Sequence, residues 1–90
     1  MESERYANGQ IMFEDKKGWH YEYHSDGSFK AIGKFVNQEK DGVWKYYRKP
    51  GRIYKVCSYK MGIPDGIWER YNHKGVLVER VVYSDGEIVK

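Results

Sequence analysis

Three side chains close together in the sequence carry groups that could bind a metal ion. His20, Glu22 and His24 are spaced two residues apart, and alternate residues of a β-strand point to the same side of a sheet. Imidazole nitrogens and carboxylate oxygens are common ligands of transition metals. No further ligand is evident in the sequence, and a structural zinc site usually has four. We therefore predict exposed polar side chains here and no metal site.

Cys57 is the only cysteine of the chain, which excludes an intramolecular disulfide and a zinc site built from several thiolates. A catalytic thiol needs a neighbouring base, and no sequence feature marks a histidine as its partner. Cys57 falls instead in an apolar column, so we predict a buried small hydrophobe. Phosphate-binding glycine motifs, nucleophile elbows and metalloprotease motifs are also absent. The sequence therefore predicts no catalytic residues, no cofactor and no enzymatic activity.

Five residues form the sharpest candidate for a binding surface. They are Trp44, Tyr46, Arg48, Trp68 and Arg70. Trp, Tyr and Arg dominate the binding energy at protein interfaces, and the alternation of a strand places these five on one side of a sheet. The alternative is that Trp44 and Trp68 pack beneath neighbouring hairpins, because tryptophan is usually well buried. Both interpretations remain open at this point.

The elements that position these residues follow from an internal repeat. Five columns recur at one fixed spacing over three units, namely Gly18/Gly42/Gly66, Tyr23/Tyr47/Tyr71, Gly27/Gly51/Gly75, Phe29/Ile53/Leu77 and Phe35/Tyr59/Tyr83. The units span residues 18–41, 42–65 and 66–90, and residues 1–17 supply a leading strand or cap. The first unit diverges, since His20 replaces the tryptophan of the other two and Gln38 replaces a glycine.

Each unit is predicted to be a β-hairpin. Several glycines and many β-branched and aromatic residues disfavour helix and favour strands, while Asp-Gly pairs at Asp26, Asp41, Asp65 and Asp85 favour turns. The fold class is therefore all-β, with antiparallel hairpins in an elongated, curved meander sheet. Alternation predicts three core ladders in the second strands: Phe29/Gly33/Phe35, Ile53/Cys57/Tyr59 and Leu77/Val81/Tyr83.

The pattern Gly-x-Trp-x-x-Tyr-x-x-x-Gly-x-Ile/Leu, followed by Tyr-x-x-Gly, occurs at residues 42–62 and 66–86. It resembles the MORN-like repeats, and within them most closely the bacterial YwqK-type antitoxin group. The resemblance implies a curved sheet of hairpins that works in protein scaffolding, in contact with phospholipid or in neutralising a toxin. It transfers no ligand site, because the Gly, Trp and Tyr of the motif mainly build the repeat.

The charge and hydropathy of the chain narrow the choice of partners. Its net charge is +3, and basic and acidic residues alternate along the sequence, which favours a solvated mixed surface. No stretch reaches the roughly 20 apolar residues of a spanning helix, so we expect a cytoplasmic protein.

The leading prediction is a small inhibitor, antitoxin or immunity-type protein that binds another protein. Anionic phospholipid and nucleic acid are the alternatives, and a homodimer through a terminal edge or a sheet face is compatible with each.

Overall fold

The computed structural model describes residues 4–89, and within that range the chain forms strands and turns without any helix. The strands are β1 Phe13–Lys16, β2 Trp19–Tyr23, β3 Phe29–Val36, β4 Glu39–Arg48, β5 Arg52–Lys60, β6 Ile63–Pro64, β7 Gly66–Tyr71, β8 Leu77–Ser84 and β9 Glu87–Ile88. All belong to one antiparallel sheet in the order β1-β2-β3-β4-β5-β7-β8-β9, with β6 beside β5. The all-β prediction is confirmed. Because no described segment is helical, none could cross a bilayer as a helix.

Two-residue turns connect four of the strand pairs. Both residues of each turn have positive φ, at Lys17-Gly18, Asn37-Gln38, Met61-Gly62 and Asp85-Gly86. This combination is typical of the type I′ turn, whose twist matches that of the flanking strands. Gln38 adopts a φ of 66° where the two following turns have glycine. The Asn37-Gln38 turn is therefore the strained member of the set.

The four Asp-Gly pairs do not all form turns between strands, as the sequence suggested. Asp26-Gly27 and Asp85-Gly86 do so, whereas Asp41-Gly42 lies inside β4 and Asp65-Gly66 joins β6 to β7. Asp41 Oδ1 accepts a hydrogen bond from the Met61 amide at 3.3 Å, and Asp65 Oδ1 accepts one from the Asp85 amide at 3.0 Å. These two carboxylates therefore hold the first residue of a later turn.

The register shifts in four of the strand pairs. Between β3 and β4 the shift lies between Ile32 and Lys34 and amounts to two residues, so it leaves the alternation of sides unchanged. In the other three pairs a one-residue β-bulge reverses the side on which the next residues point, and these shifts fall between Glu22 and Tyr23, between Tyr46 and Tyr47, and between Arg70 and Tyr71. Each bulge leaves one residue of the facing strand without a partner, and these residues are Lys30, Tyr54 and Val78. An extra residue in one strand changes its alternation from that point onward.

The predicted core ladders are wrong at their first residue for this reason. Phe29 pairs with Tyr23, whereas Gly33 pairs with His20, so the two lie on opposite sides of the sheet. In the same way, Ile53 lies on the opposite side of the sheet from Cys57 and Tyr59, and Leu77 lies on the opposite side from Val81 and Tyr83. Strict alternation assigns residues beyond a bulge to the wrong side of the sheet, and the sequence does not reveal where the bulges are.

The sheet has two dissimilar faces. The Trp44 face carries Phe13, His20, Glu22, Ala31, Gly33, Phe35, Lys40, Trp44, Tyr46, Arg48, Tyr54, Lys55, Cys57, Tyr59, Trp68, Arg70, Glu79, Val81 and Tyr83. The Tyr47 face carries Trp19, Tyr21, Tyr23, Phe29, Val43, Tyr47, Ile53, Val56, Ile67, Tyr71, Leu77 and Val82. The molecule measures 45 × 35 × 16 Å, so it is a thin plate that offers both faces.

The core lies on the Trp44 face of the central strands. Ala31 and Trp44 are 1% exposed and Cys57 is 0% exposed. The Trp44 indole lies flat on Gly33, where an added Cβ would be only 1.9 Å from Cδ2 of the ring. Glycine is therefore the residue that lets the largest core side chain reach the backbone of β3.

Candidate partner-binding face

The structure places all five predicted binding residues on the Trp44 face, but it gives them different exposures. Arg48 and Arg70 are exposed, Tyr46 and Trp68 are half-buried, and Trp44 is buried. For Trp44 the alternative of packing beneath a neighbouring hairpin therefore applies, and its ring offers no surface to a partner. The other four side chains retain solvent-accessible surface, and their role in binding stays a prediction.

Trp44 and Trp68 are held in the same way. The Trp44 Nε1–H donates to the Lys34 carbonyl at 3.1 Å, and the Trp68 Nε1–H donates to the Ser58 carbonyl at 2.8 Å. The two acceptors have the same spacing in the sequence as the two tryptophans. Because a buried indole N–H needs an acceptor, each bond fixes the orientation of its ring.

Aromatic side chains surround both indoles. Phe35 meets Trp44 edge-on with ring centroids 5.0 Å apart, while Tyr59 and Tyr83 lie 5.2 and 5.0 Å from Trp68 on its two sides. Such arrangements add roughly 0.5–1.5 kcal/mol per pair beyond the burial of area. The rings consequently form a rigid platform across the sheet.

Three cationic side chains lie over this platform. Lys40 Nζ is 4.9 Å from the Trp44 ring centroid and donates a hydrogen bond to the Tyr46 hydroxyl at 3.0 Å. Lys55 Nζ is 4.6 Å from the Tyr46 ring, and the Arg48 guanidinium carbon is 4.6 Å from the Tyr54 ring. The negative face of an aromatic ring attracts a cation at these distances. The platform therefore holds positive charge at defined positions.

Sequence reasoning missed Lys40, Tyr54 and Lys55. Lys55 pairs directly with Tyr46, but that register depends on the bulge that leaves Tyr54 unpaired. Tyr54 and Lys55 can both reach the Trp44 face only because a bulge lies beside them. No signal in the sequence marks these bulges, because Lys30, Tyr54 and Val78, which occupy the same position in the three units, are unlike in type.

Burial favours the uncharged form of two phenols, Tyr46 and Tyr59, and of the Cys57 thiol on this face. Burial, followed by the neighbouring Tyr46, raises the pKa of Tyr59 to about 12, and burial also raises the pKa of Tyr46 itself. Burial likewise raises the pKa of the Cys57 thiol, which disfavours the reactive thiolate. The prediction that Cys57 is a buried small hydrophobe is confirmed.

His20 occupies the place that tryptophan has in the other units. Its ring centroid lies 5.2 Å from that of Phe35 and 5.8 Å from that of Trp44. Asp15 Oδ1 is 2.7 Å from Nδ1 and Glu22 Oε2 is 3.0 Å from Nε2, so a carboxylate faces each ring nitrogen. The imidazole therefore caps the aromatic platform toward β1 and connects it to two acidic side chains.

His24 does not join His20 and Glu22. It follows the end of β2, and its Nε2 bonds the Tyr47 carbonyl at 2.8 Å. All three side chains are half-buried, so the prediction that they are exposed is wrong. Over residues 4–89, no three His, Cys, Asp or Glu side chains are placed to hold a metal ion. The two-residue spacing on a single strand therefore does not make a ligand cluster here.

The Tyr47 face exposes many large apolar side chains. Six of its large hydrophobic side chains, Trp19, Phe29, Val43, Ile67, Leu77 and Val82, are each 40–50% exposed. Phe29 stacks on Tyr23 with ring centroids 5.4 Å apart. The cations that lie over aromatic rings therefore belong to the Trp44 face, whereas the Tyr47 face exposes large apolar side chains together with lysines such as Lys34 and Lys45.

The fold and the Trp44 face define a class of protein, namely an open, single-layer antiparallel sheet with cations held over buried and half-buried aromatic rings. Comparison with known proteins adds no narrower assignment, because no family model, no curated protein and no solved structure matches the chain.

Proposed function

We propose that this protein is a non-enzymatic module that binds another protein through its Trp44 face, and that it is built from three MORN-like repeat units. Three features that recur at the spacing of these units support the repeat: the bulges after Glu22, Tyr46 and Arg70, the turns at residues 37–38, 61–62 and 85–86, and the indole-to-carbonyl bonds of Trp44 and Trp68. The N-terminal unit departs from the pattern by using His20 in place of the indole.

The single observation that carries the function is the set of cations fixed over rings. Arg48 and Lys55 stand on Tyr54 and Tyr46, and these rings belong to the rigid platform. A charge that is already positioned loses little conformational entropy when it pairs with a partner. The complementary surface would present carboxylates at matching positions, since charge complementarity gives a complex its specificity and its rate of association.

The shape of the molecule suits occlusion of a partner. Its plate measures 45 × 35 Å, whereas a protein–protein interface of standard size covers about 800 Å² on each partner. One face can therefore cover an acidic functional surface completely. A small inhibitor of the antitoxin or immunity type works in this way, and that is the form of the function we propose.

Protein is favoured over nucleic acid because the rings are covered. Single-stranded nucleic acid binds by stacking bases on open aromatic faces, but the Trp44 ring is buried and Lys40 lies over it. Glu79 and Glu22 also interleave with the basic residues of this face, which weakens attraction to a phosphate backbone or to a bilayer of anionic lipid.

The test is a charge reversal with a matched control. The variant Arg48→Glu/Arg70→Glu alters the Trp44 face, and Lys34→Glu/Lys45→Glu makes the same change in net charge on the other side of the sheet, where both lysines are exposed. After circular dichroism has established that both fold, each is used to capture partners from lysate. We expect one partner that the wild type and the control retain and that the Trp44-face variant loses.

Two results would overturn the proposal. One is a partner that both variants retain, because its binding would then not depend on the Trp44 face. The other is binding of the wild type to vesicles of anionic phospholipid or to a single-stranded oligonucleotide, lost in the Arg48→Glu/Arg70→Glu variant, with no protein captured.

A further inference from the structure

We propose that the outer edge of β8 docks an extended strand of another protein, and that this strand carries a bulky aromatic residue followed two positions later by Lys or Arg. The inference goes beyond the proposed function, because it concerns an edge of the sheet and holds whether or not the Trp44 face binds a partner.

The internal organisation of the sheet shows how such a strand would add. The outer edge of β5 receives β6 at Tyr59 and Lys60, and it then receives β7 at Val56 and Lys55. The outer edge of β8 receives β9 at Tyr83 and Ser84, which lie one unit after Tyr59 and Lys60. Within residues 4–89, no strand continues along β8 as β7 continues along β5.

The open backbone groups can be assigned from two hydrogen bonds. The Ser58 carbonyl accepts from the Asp65 amide at 3.0 Å on the β7 side of β5, and the Val82 carbonyl accepts from the Val89 amide at 2.8 Å on the β9 side of β8. Backbone groups of alternate residues in a strand face the same side. Arg80 therefore directs its N–H and C=O toward the open edge, as Val56 does toward Glu69 of β7.

A groove that could accept an aromatic side chain lies beside this edge. The register of β5 and β7 places Trp68 beside Cys57, and the Trp68 ring packs on Tyr59. The positions that correspond to Cys57 and Tyr59 one unit later are Val81 and Tyr83. Val81, Tyr83 and Ile88 line one side of a groove of ≈ 220 Å³ on the Trp44 face, and Lys55, Trp68 and Arg70 line its other side. An aromatic residue opposite Val81 would repeat there the packing of Trp68.

Charge defines the second feature of the incoming strand. In β7, Arg70 follows Trp68 by two residues and pairs with Lys55, and the corresponding residue of β8 is Glu79. Glu79 is exposed and accepts one bond, from Arg70 Nε at 3.2 Å. A carboxylate oxygen has room for further donors, so a basic residue opposite Glu79 is favoured.

A second copy of the chain fits this edge poorly. Antiparallel pairing of two β8 strands about Glu79 or Arg80 places identical charges directly opposite each other, which is destabilising. The β1 strand of a copy, with Phe13 opposite Val81, would place Asp15 opposite Glu79. Addition of a strand to a sheet edge is an established mode of peptide recognition, and here the charges favour a different protein as its source.

The probe is a synthetic peptide, IPDGIWERYN, which has the sequence of residues 63–72. It is titrated into the ¹⁵N-labelled full chain and followed by amide chemical shifts. We expect saturable shifts at residues 77–82 and on β9. Peptides with Trp68→Ala or Arg70→Glu should bind at least tenfold more weakly, because they lack the aromatic ring or place an acid opposite Glu79.

The matched protein variants are Arg80→Pro and Arg80→Ala. Both remove the contact of Arg80 with Glu69, but only proline removes the outward N–H, and proline is tolerated on an edge strand at such a position. Arg80→Ala should retain binding and Arg80→Pro should lose it. No binding, equal binding by both variants, or shifts confined to β5 and β7 through displacement of the native strand would overturn the proposal. So would a dimer of the chain that Arg80→Pro makes monomeric.

Discussion

Replacing Gly33 with alanine tests whether close approach of an indole to the backbone organises the core. In the folded protein the new Cβ would lie 1.9 Å from Cδ2 and 2.1 Å from Cε2 of Trp44. Real Cβ atoms do not approach so closely, so the ring or the strand must move. The ring has little freedom, because it is 1% exposed, contacts Phe35 and donates a hydrogen bond to the Lys34 carbonyl.

The expected cost follows from the two ways in which the clash can be relieved. A shift of the backbone with Trp44 retained corresponds to overpacking, which costs roughly 1–3 kcal/mol. Ejection of the indole corresponds to loss of a large core side chain, which costs roughly 3–5 kcal/mol. We expect about 3 kcal/mol, where the two ranges meet. A chain of this length has roughly 5–13 kcal/mol of stability in total, so the variant should unfold at a much lower urea concentration.

Urea unfolding followed by far-ultraviolet circular dichroism measures this loss in the wild type and in a Trp44→Leu background. Without the indole, Gly33→Ala should be neutral or should stabilise by about 0.5 kcal/mol, because alanine loses less backbone entropy than glycine. A cost below about 1 kcal/mol in the wild type, the lower bound for overpacking, would refute the reasoning. An equal cost in both backgrounds would also refute it, because the effect would then not depend on the ring.

Three further predictions concern a turn, a phenol and a thiol. Gln38→Gly should stabilise the protein by about 1 kcal/mol in the same urea assay, because Gln38 adopts a φ of 66°, whereas Gly62→Ala should destabilise it; equal effects would contradict the turn assignment. The pKa of Tyr59 is about 12 in the folded state against 10.0 for the free side chain, so its contribution to stability is complete below pH 10 and is lost as the pH rises to 12. Tyr59→Phe should make the unfolding midpoint less dependent on pH in that window, and an unchanged dependence would argue against burial of the phenol. Cys57 is 0% exposed, so a thiol reagent should modify it only at the rate of unfolding, and immediate modification of the native protein would show that the thiol is accessible.

The sequence predicted the all-β class and the meander of hairpins, because glycine positions and aromatic columns are local signals. It also placed Trp44, Tyr46, Arg48, Trp68 and Arg70 on one face, since none of these residues is separated from its neighbours in its own strand by a bulge. The exposure of each residue could not be predicted, because Trp44 is buried by His20 of β2 and Phe35 of β3 as well as by Lys40 of its own strand.

The errors had one physical origin in the backbone. The sequence predicted turns at Asp41-Gly42 and Asp65-Gly66, but the reversals occur at residues 37–38 and 61–62, where Asn37 and Met61 adopt positive φ without being glycine. The bulges likewise lie at Lys30 and Tyr54, which are ordinary strand residues by composition. Pairing between strands determines both features, and it depends on contacts that a single segment does not contain.

Burial is distributed unevenly along the sheet, and this has a consequence for how the molecule opens. The three fully buried apolar side chains, Ala31, Trp44 and Cys57, belong to β3, β4 and β5, whereas every residue of β8 and β9 is exposed except Val81 and Tyr83, which are half-buried. Amide hydrogens should therefore exchange fastest in the C-terminal hairpin, through local opening that leaves β3–β5 intact. A strand that binds along β8 would slow this exchange, so the least protected part of the protein is also the part whose protection a partner would change most.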